Sequence, residues 1–476
     1  MKKIKLFLLL IISVNLNNNN EILAKADTIS NNNLEKLRLI EKDEIIIYQI
    51  IITGNKKTKE NIITRELSLK LGIPITKKNL IPIIEEDKRK VINTNLFNEV
   101  NFSLEIIRDN YLILNVDVIE SLYWNPTLIF ELSDRNFNDW WQNFNHDIKR
   151  INYGIGVFNG NLSGRRDFIE ALFRLGFIKE IYVSYYRPYL SKKQKGGLEI
   201  DFNYIDYNHL EYNFFNYIPE FHKSNNSLKK ELLTSIEYSH RESFYNYHYF
   251  ELGYHNINLN DTLSLLNENY YYNNRIKNSF NLSYEFDRDF RDIKNYPLNG
   301  FRLNIKIKKN GLKIFKDINK WKARIYYSNY INLKKNYYYS YNFSSYISSK
   351  NQPYYLYEST GQIRGYEKYL IYGHSNIIYR NTLKKRILST NYSRNNSNYF
   401  KRIKNIPFNV YLKIFYDSGA IWKYEKALNS RLNNTYLYSF GVGLDIVTIK
   451  NISLRTELSR NKNKETNLSF NLGADF

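Results

Sequence analysis

The chain has 476 residues, with 69 Lys plus Arg against 47 Asp plus Glu, a formal charge of +22, and no Cys. That length allows two or three domains or one large barrel, and the lack of Cys excludes a disulfide framework, an Fe–S cluster and a thiolate zinc site. A mean hydropathy of −0.53 excludes a helical membrane protein, while 43% hydrophobic residues and 44 Tyr exclude a disordered chain.

At the N-terminus, Lys2, Lys3 and Lys5 precede an apolar run from Leu6 to Ile12. This is the layout of a secretory signal peptide, and the run is far shorter than the ~20 residues of a spanning helix. Ala24-Lys25-Ala26 is an A-x-A site. Cleavage after Ala26 is expected, so that residues 1–26 are removed and 27–44 form a linker. No later segment has 18 consecutive apolar residues. A mature chain that meets a membrane must therefore do so as strands.

Residues 45–122 read as a small α+β domain. Ile46–Ile52 is a β-branched run and Gly54-Asn55 a turn signal. Ile62, Ile63, Leu67 and Leu71 then fall at helical spacing, which predicts a helix over Thr58–Leu71 with Thr58 as N-cap and Gly72-Ile73-Pro74 as its stop. A second helix is expected over Lys77–Asn95. Val100–Ile107 and Tyr111–Ile119 read as a hairpin around Asp109-Asn110. The expected order is β-α-α-β-β.

From Pro126 to Phe476 the texture is alternation. Phe280, Leu282, Tyr284 and Phe286 oppose Asn281, Ser283, Glu285 and Asp287. In the last segment Leu468, Phe470, Leu472, Ala474 and Phe476 share one face. One apolar and one charged face mean a strand between two environments. In a sandwich these are core and water; in a transmembrane barrel they are lipid and a polar lumen. The signal peptide, the scarcity of Gly and Pro turns, and about 16 segments of the ~9–11 residues that a crossing needs favour the barrel. The fold class expected is mainly β: an antiparallel transmembrane barrel over 123–476, behind the small domain.

Specific strings agree. Ile52-x-Gly54-Asn55, Thr58, Gly72, Leu96-Phe97-x-x-Val100 and Val116-x-Val118-x-Glu120 resemble a POTRA module. Asp287-Arg288-Asp289 with Tyr296-Pro297-x-x-Gly300, then Ile363-Arg364-Gly365-Tyr366, then Phe415-Tyr416-Asp417-Ser418-Gly419 with Trp422, follow in the order of the BamA/TamA family of outer-membrane proteins. Asp134-Arg135-Asn136-Phe137 and Trp140-Trp141 resemble short members from the Bacteroidetes lineage. The chain departs from the best-studied members in carrying a single POTRA module.

The resemblance implies a 16-stranded outer-membrane barrel with the module in the periplasm, assembling other barrel proteins. Its partners would be unfolded outer-membrane proteins, outer-membrane lipid and lipopolysaccharide, and periplasmic chaperones or accessory lipoproteins. It implies a lateral seam between the first and last strands, Pro126–Leu132 and Leu468–Phe476, with Phe470, Leu472, Gly473 and Phe476 on the closing side. It also implies a loop folded into the lumen through Arg364, Gly365 and Tyr366. Asp417 takes the inward face of its strand because Val410, Leu412, Ile414 and Tyr416 take the other, so an Arg364–Asp417 pair beside Gly419 is expected to anchor that loop. Gly54, Leu96 and Phe97 mark the module. The alternatives are a pore that secretes a dedicated polypeptide and a surface antigen without assembly activity. No catalytic, metal or cofactor constellation is legible: Gly373-His374-Ser375-Asn376 lacks the final Gly of a nucleophile elbow, and the seven His form no H-E-x-x-H. The basic residues are spread along the whole chain, and no nucleic-acid partner is expected.

Overall fold

The computed structural model describes residues 37–473 except 39, 134–139, 142–143, 192, 216–217, 272–275, 316–317, 359–362, 394–404, 425–430 and 449–452. The expected signal peptide, Asp134–Phe137 and Phe476 lie outside the described residues.

The N-terminal module contains β1 (Glu44–Thr53), α1 (Glu60–Thr64), β2 (Pro74–Thr76), α2 (Lys77–Ile92), β3 (Phe97–Arg108) and β4 (Tyr111–Glu120). Its sheet runs β2-β1-β4-β3, with β1 parallel to β4. Leu80, Ile84 and Val91 put one face of α2 onto the sheet, where they meet Ile45, Ile47, Leu112 and Leu114. Leu96 and Phe97 enter the same core.

The first helix is shorter than its periodicity predicts. It stops at Thr64 because the Ser68 and Leu69 N–H groups donate to the Asp87 carboxylate at 2.8 and 3.2 Å, and so leave the i→i−4 ladder. Leu67 is still buried, from an irregular segment. Thr58 is not the N-cap: Lys59 stands there, and the Thr58 hydroxyl bonds Tyr123 instead. Gly54 has φ +84°, and a Cβ there would lie 1.9 Å from the Val118 carbonyl oxygen. Only glycine fits that crossing.

The rest of the chain is an antiparallel meander. In order come β5 (Trp124–Leu132), β6 (Ile151–Asn159), β7 (Phe168–Gly176), β8 (Ile178–Arg187), β9 (Gly196–Tyr207), β10 (His209–Phe215), β11 (Ile218–Lys223), β12 (Lys229–Arg241) and β13 (Asn246–Leu259). The short helix α3 (Asp261–Leu266) precedes β14 (Ile276–Asp289), β15 (Gly300–Asn310), β16 (Lys320–Asn332), β17 (Tyr337–Ser348), β18 (Ser375–Ser393), β19 (Asn405–Trp422), β20 (Tyr436–Val447), β21 (Ser453–Asn461) and β22 (Thr466–Gly473). Sixteen of these strands form one sheet from β5 to β22, and β10–β11 stands apart as a hairpin. The sheet curls into a barrel: Tyr296, between β14 and β15, reaches Asp445 on β20 at 2.7 Å.

The alternation sets the two faces. On β19, Leu412, Ile414 and Tyr416 point out and are exposed, while Lys413, Phe415 and Asp417 point in and are buried. Inward charges pair across neighbouring strands, as Lys306 does with Glu285 at 2.9 Å. At the end far from the module, tyrosines close over the mouth. The Tyr354 and Tyr372 hydroxyls both donate to Glu211 of β10 at 2.5 Å, and Tyr357 stacks on Tyr424 with ring centroids 4.0 Å apart. The Arg150 guanidinium lies 3.7, 4.2 and 4.8 Å from the rings of Phe144, Phe221 and Phe177.

Candidate functional site

The loop between β17 and β18 turns back into the lumen. Its Arg364 donates from Nε and Nη2 to the two Asp417 oxygens at 2.8 and 2.6 Å, and its backbone N–H donates to the same carboxylate at 3.1 Å. The guanidinium also lies 3.9 Å over the Phe415 ring, and Nη2 reaches the Thr382 hydroxyl at 3.1 Å. A planar fork with an aromatic floor is a site for Arg and not for Lys. Gly365 has φ +88°, and a Cβ there would crowd Ser439 and Ser459 at 3.2–3.5 Å. Its carbonyl accepts from Asn461 at 3.0 Å. The Tyr366 hydroxyl donates to the Tyr438 carbonyl at 3.2 Å. Gly419, two residues beyond Asp417, leaves room for Ile363. The loop is thus fastened to β19, β20 and β21, and the Asn467 amide of β22 donates to its Glu367 carboxylate.

The anchor continues below the loop. Glu457 takes Arg364 Nη1 at 3.5 Å and Lys413 Nζ at 2.7 Å. Lys413, fully buried, also meets Asp445 at 2.6 Å. Asp445 accepts the Tyr296 hydroxyl and lies 3.8 Å from Lys384, whose ammonium sits 4.4 Å over the Tyr296 ring. Three cations and three carboxylates balance inside the wall, as burial demands.

The seam is the other part of the site. β5 pairs with β6 through nine register partners and, among the described residues, no ladder joins it to β22. No residue of β5 is buried, and Leu128 and Phe130 are 85% and 78% exposed. At the other end of the sheet Phe470 is 63% exposed, while Leu472 and Gly473 pair, among the described residues, with Leu454 and Ser453 of β21 alone. Among the described residues, the main-chain edge of β5 away from β6 therefore has no strand partner.

A family model described as the Omp85 superfamily domain matches residues 161–476. The chain belongs to the Omp85 superfamily. A second model, the POTRA-type surface antigen variable number repeat, matches residues 45–121. In fold the chain is similar to BamA from Haemophilus ducreyi lacking POTRA domains 1–3, at 16% identity and a TM-score of 0.50, over 91% of this chain and 85% of that one. It is similar also to CdiB from Escherichia coli, at 10% identity and a TM-score of 0.54, over 91% and 77%. No curated protein is significantly similar in sequence.

Omp85 barrels lie in the outer membrane with POTRA modules in the periplasm. The module end is then periplasmic, and the tyrosine-covered mouth faces the cell surface. The POTRA module docks on the barrel through several polar contacts. Arg241 donates to both Glu66 oxygens at 2.8 and 2.6 Å, and the Tyr245 hydroxyl donates to Glu86. Asn93 donates to the Asp292 carbonyl at 3.1 Å and the Lys59 N–H to the Gly164 carbonyl at 2.9 Å. The Thr58 hydroxyl bridges Tyr123, just before β5, at 2.8 Å and Asn161, just after β6, at 2.9 Å. Burial works to raise the Glu66 carboxyl, and Arg241 outweighs it, leaving Glu66 below the ordinary range. Glu120 is lowered in the same way, burial being overcome by N–H bonds from Thr58 and Lys57. Burial pushes the Tyr123 phenol up to about 12.

Sequence reasoning picks out Arg364 and Asp417, and the structure brings them together; it misses Glu457, Lys413 and Asp445. The signal was there: all three are charges on the inward face of alternating strands, and Lys413 shares a face with Asp417. Glu66 and Arg241 had no such signal, being 175 residues apart. Among the described residues no His, Asp or Glu group could hold a metal ion.

Proposed function

We propose that this Omp85 protein folds and inserts β-barrel proteins into the outer membrane by lending the β5 edge to an incoming strand. The edge of β5, which among the described residues has no ladder partner besides β6 and ends the sheet that β22 begins, carries the proposal. In a lipid core each unpaired backbone group costs several kcal/mol. A nascent strand that pairs with β5 satisfies its donors and acceptors before it meets lipid, which is strand addition to an open edge. The exposed Leu128 and Phe130 give that edge an apolar face suited to the bilayer. Unfolded outer-membrane proteins are the substrates; periplasmic chaperones or lipoproteins would deliver them, and lipid and lipopolysaccharide surround the barrel.

Omp85 membership carries barrel assembly or secretion. Two features favour assembly: the loop of Arg364 occupies the lumen, and Tyr354, Tyr357 and Tyr372 of that loop, held by Glu211 of β10 and stacked on Tyr424, cover the surface mouth. A secreted chain would have to displace both.

The test is a reconstituted insertion assay in liposomes with an unrelated barrel as substrate. The chain has no Cys, so one cysteine on β5 and one on β22 can be bridged by a short bifunctional maleimide. Bridging should stop insertion, and cleaving a reducible bridge should restore it. Insertion that continues with the seam bridged would overturn the mechanism. Depletion in cells that removes one secreted cargo, while unrelated barrels persist, would favour secretion.

A further inference from the structure

The outer wall of the barrel carries a groove of about 570 Å³ across β12 to β15. Its lining is the outward, apolar face of those strands, with Tyr238, Phe250 and Tyr284 at the periplasmic side and Ile236, Leu252 and Leu282 above them. Tyr238 leans over β9, where Gly196 makes room: a Cβ there would lie 2.8 Å from the phenol oxygen. That lean keeps the space between β12 and β14 open.

Toward the periplasm the same strands change character row by row, each row ~7 Å below the last. The next outward row is His240, His248 and Phe286, cross-strand neighbours in register. His248 Nδ1 and the Tyr284 hydroxyl are hydrogen-bonded at 2.9 Å, and the two imidazole centroids are 6.4 Å apart. The row below is Glu242, Asn246 and Arg288. The Glu242 carboxylate accepts from the Asn246 amide at 3.3 Å and lies 3.6 Å from His248 Nε2. The Arg288 guanidinium lies 5.1 and 5.9 Å over the rings of Phe290 and Phe301. It makes no hydrogen bond or ion pair with a described residue. A membrane leaflet has the same order from its surface inward: charged headgroup, glycerol esters, acyl chain. A cation held outward at headgroup height is matched by a phosphate. Glu242, two strand spacings or ~10 Å away, is matched by an ammonium.

We propose that this face of the wall holds one phospholipid of the periplasmic leaflet with an amine headgroup. Its phosphate lies on Arg288, its ammonium on Glu242, its glycerol esters against the histidine row, and an acyl chain in the groove. β12 to β15 are the sixth to ninth of the sixteen strands, across the barrel from the seam. The site therefore does not depend on whether the chain assembles barrels or secretes a polypeptide.

The test titrates the full chain, purified in detergent, with dipalmitoyl phosphatidylethanolamine, and native mass spectrometry counts the lipid retained. The parent should keep one lipid per chain. Arg288→Gln with Glu242→Gln should weaken that binding at least about tenfold (~1.4 kcal/mol). Leu282→Trp, which fills the groove and leaves the charges in place, should weaken it by a similar factor. Lys385→Gln, a change of charge on β18 elsewhere in the wall, should bind like the parent, and heat-modifiability on gels verifies that each variant is folded. Retention unchanged in the double Gln variant overturns the headgroup contacts and with them the site. Phosphatidylglycerol bound as tightly as phosphatidylethanolamine also overturns it, because that lipid brings a phosphate and no ammonium for Glu242. Displacement by glycerophosphoethanolamine, which has no acyl chains, at the same concentration as by the lipid would show that the groove takes no part, and the proposal would fall.

Discussion

Arg241 and Glu66 meet through two parallel bonds, 2.8 and 2.6 Å long, across the boundary between barrel and POTRA module. Both side chains are at most one-tenth exposed. Removing one partner from a buried pair costs ~3–5 kcal/mol when the other charge is left unpaired; Glu66 keeps Arg65 at 3.4 Å, so the loss of Arg241 should cost less than that. Arg241→Ala should therefore loosen the module and raise amide exchange across residues 45–121. The double variant with Glu66→Gln should recover part of the loss. Exchange identical to the parent would show that the other contacts suffice.

The same junction should respond to acid. Glu66 and Glu120 both lie below the ordinary carboxylate range in the folded protein. A lowered folded pKa stabilises fully above the unfolded value, ~4.3, and the contribution is lost as pH falls through the folded value. Docking should be constant from pH 7 to about 5 and weaken below that. Crosslinking between module and barrel across a pH series reads this directly, and Glu66→Gln should flatten part of the curve. A parent curve flat to pH 2 would contradict the prediction.

Arg364→Ala should leave Asp417 buried and unpaired, destabilising the barrel by ~3–5 kcal/mol. Its heat-modifiable band should shift at a lower temperature, and outer-membrane protein levels should fall. Arg364→Lys keeps the charge and loses the fork and the Phe415 stack, so it should be intermediate. Parental behaviour of both variants would remove the loop anchor from the mechanism.

Lys413→Met tests the layer beneath. It leaves Asp445 and Glu457 facing each other without the ammonium that joins them at 2.6 and 2.7 Å. The expected loss is again ~3–5 kcal/mol, because two buried carboxylates lose the cation between them. Adding Glu457→Gln should recover stability, and a double variant no better than Lys413→Met alone would disprove the coupling.

Gly54→Ala combines a positive φ with a Cβ 1.9 Å from a carbonyl oxygen. Strain of ~1–3 kcal/mol at one residue is the minimum expected, before the clash is relieved. Amide protection should drop around β1 and β4 and not in β14–β19. Uniform protection would mean that the backbone shifts at no cost.

The barrel was legible because its solvent changes every residue: Leu412, Ile414 and Tyr416 meet lipid where Lys413, Phe415 and Asp417 meet the lumen. Period two is unmistakable under that constraint. The loop anchor was legible because Arg364 and Asp417 sit in motifs whose order along the chain is itself informative. The first POTRA helix was misjudged because Leu67 is apolar at helical spacing yet is buried from an irregular segment that Asp87 holds. No local pattern reports an acceptor eighteen residues away. The tyrosine cover was illegible for a related reason. Forty-four Tyr suit a barrel anywhere, and only the tertiary fold gathers Tyr354 and Tyr372 on Glu211. The docking of the module depends on pairs such as Thr58–Tyr123, which sequence reasoning assigned to a helix cap.

The seam's two margins are held by different bodies. The β5–β6 margin hangs from the POTRA module through Thr58, Tyr123 and Asn161. The β20–β22 margin hangs from the lumen loop through Gly365, Tyr366 and Glu367. Mechanically these are two levers with separate handles, one reached from the periplasm and the other from the cell surface. If the seam opens as proposed, a force on the module would act on the first strand while the loop holds the last, so a protein docking in the periplasm would widen the opening without crossing the membrane.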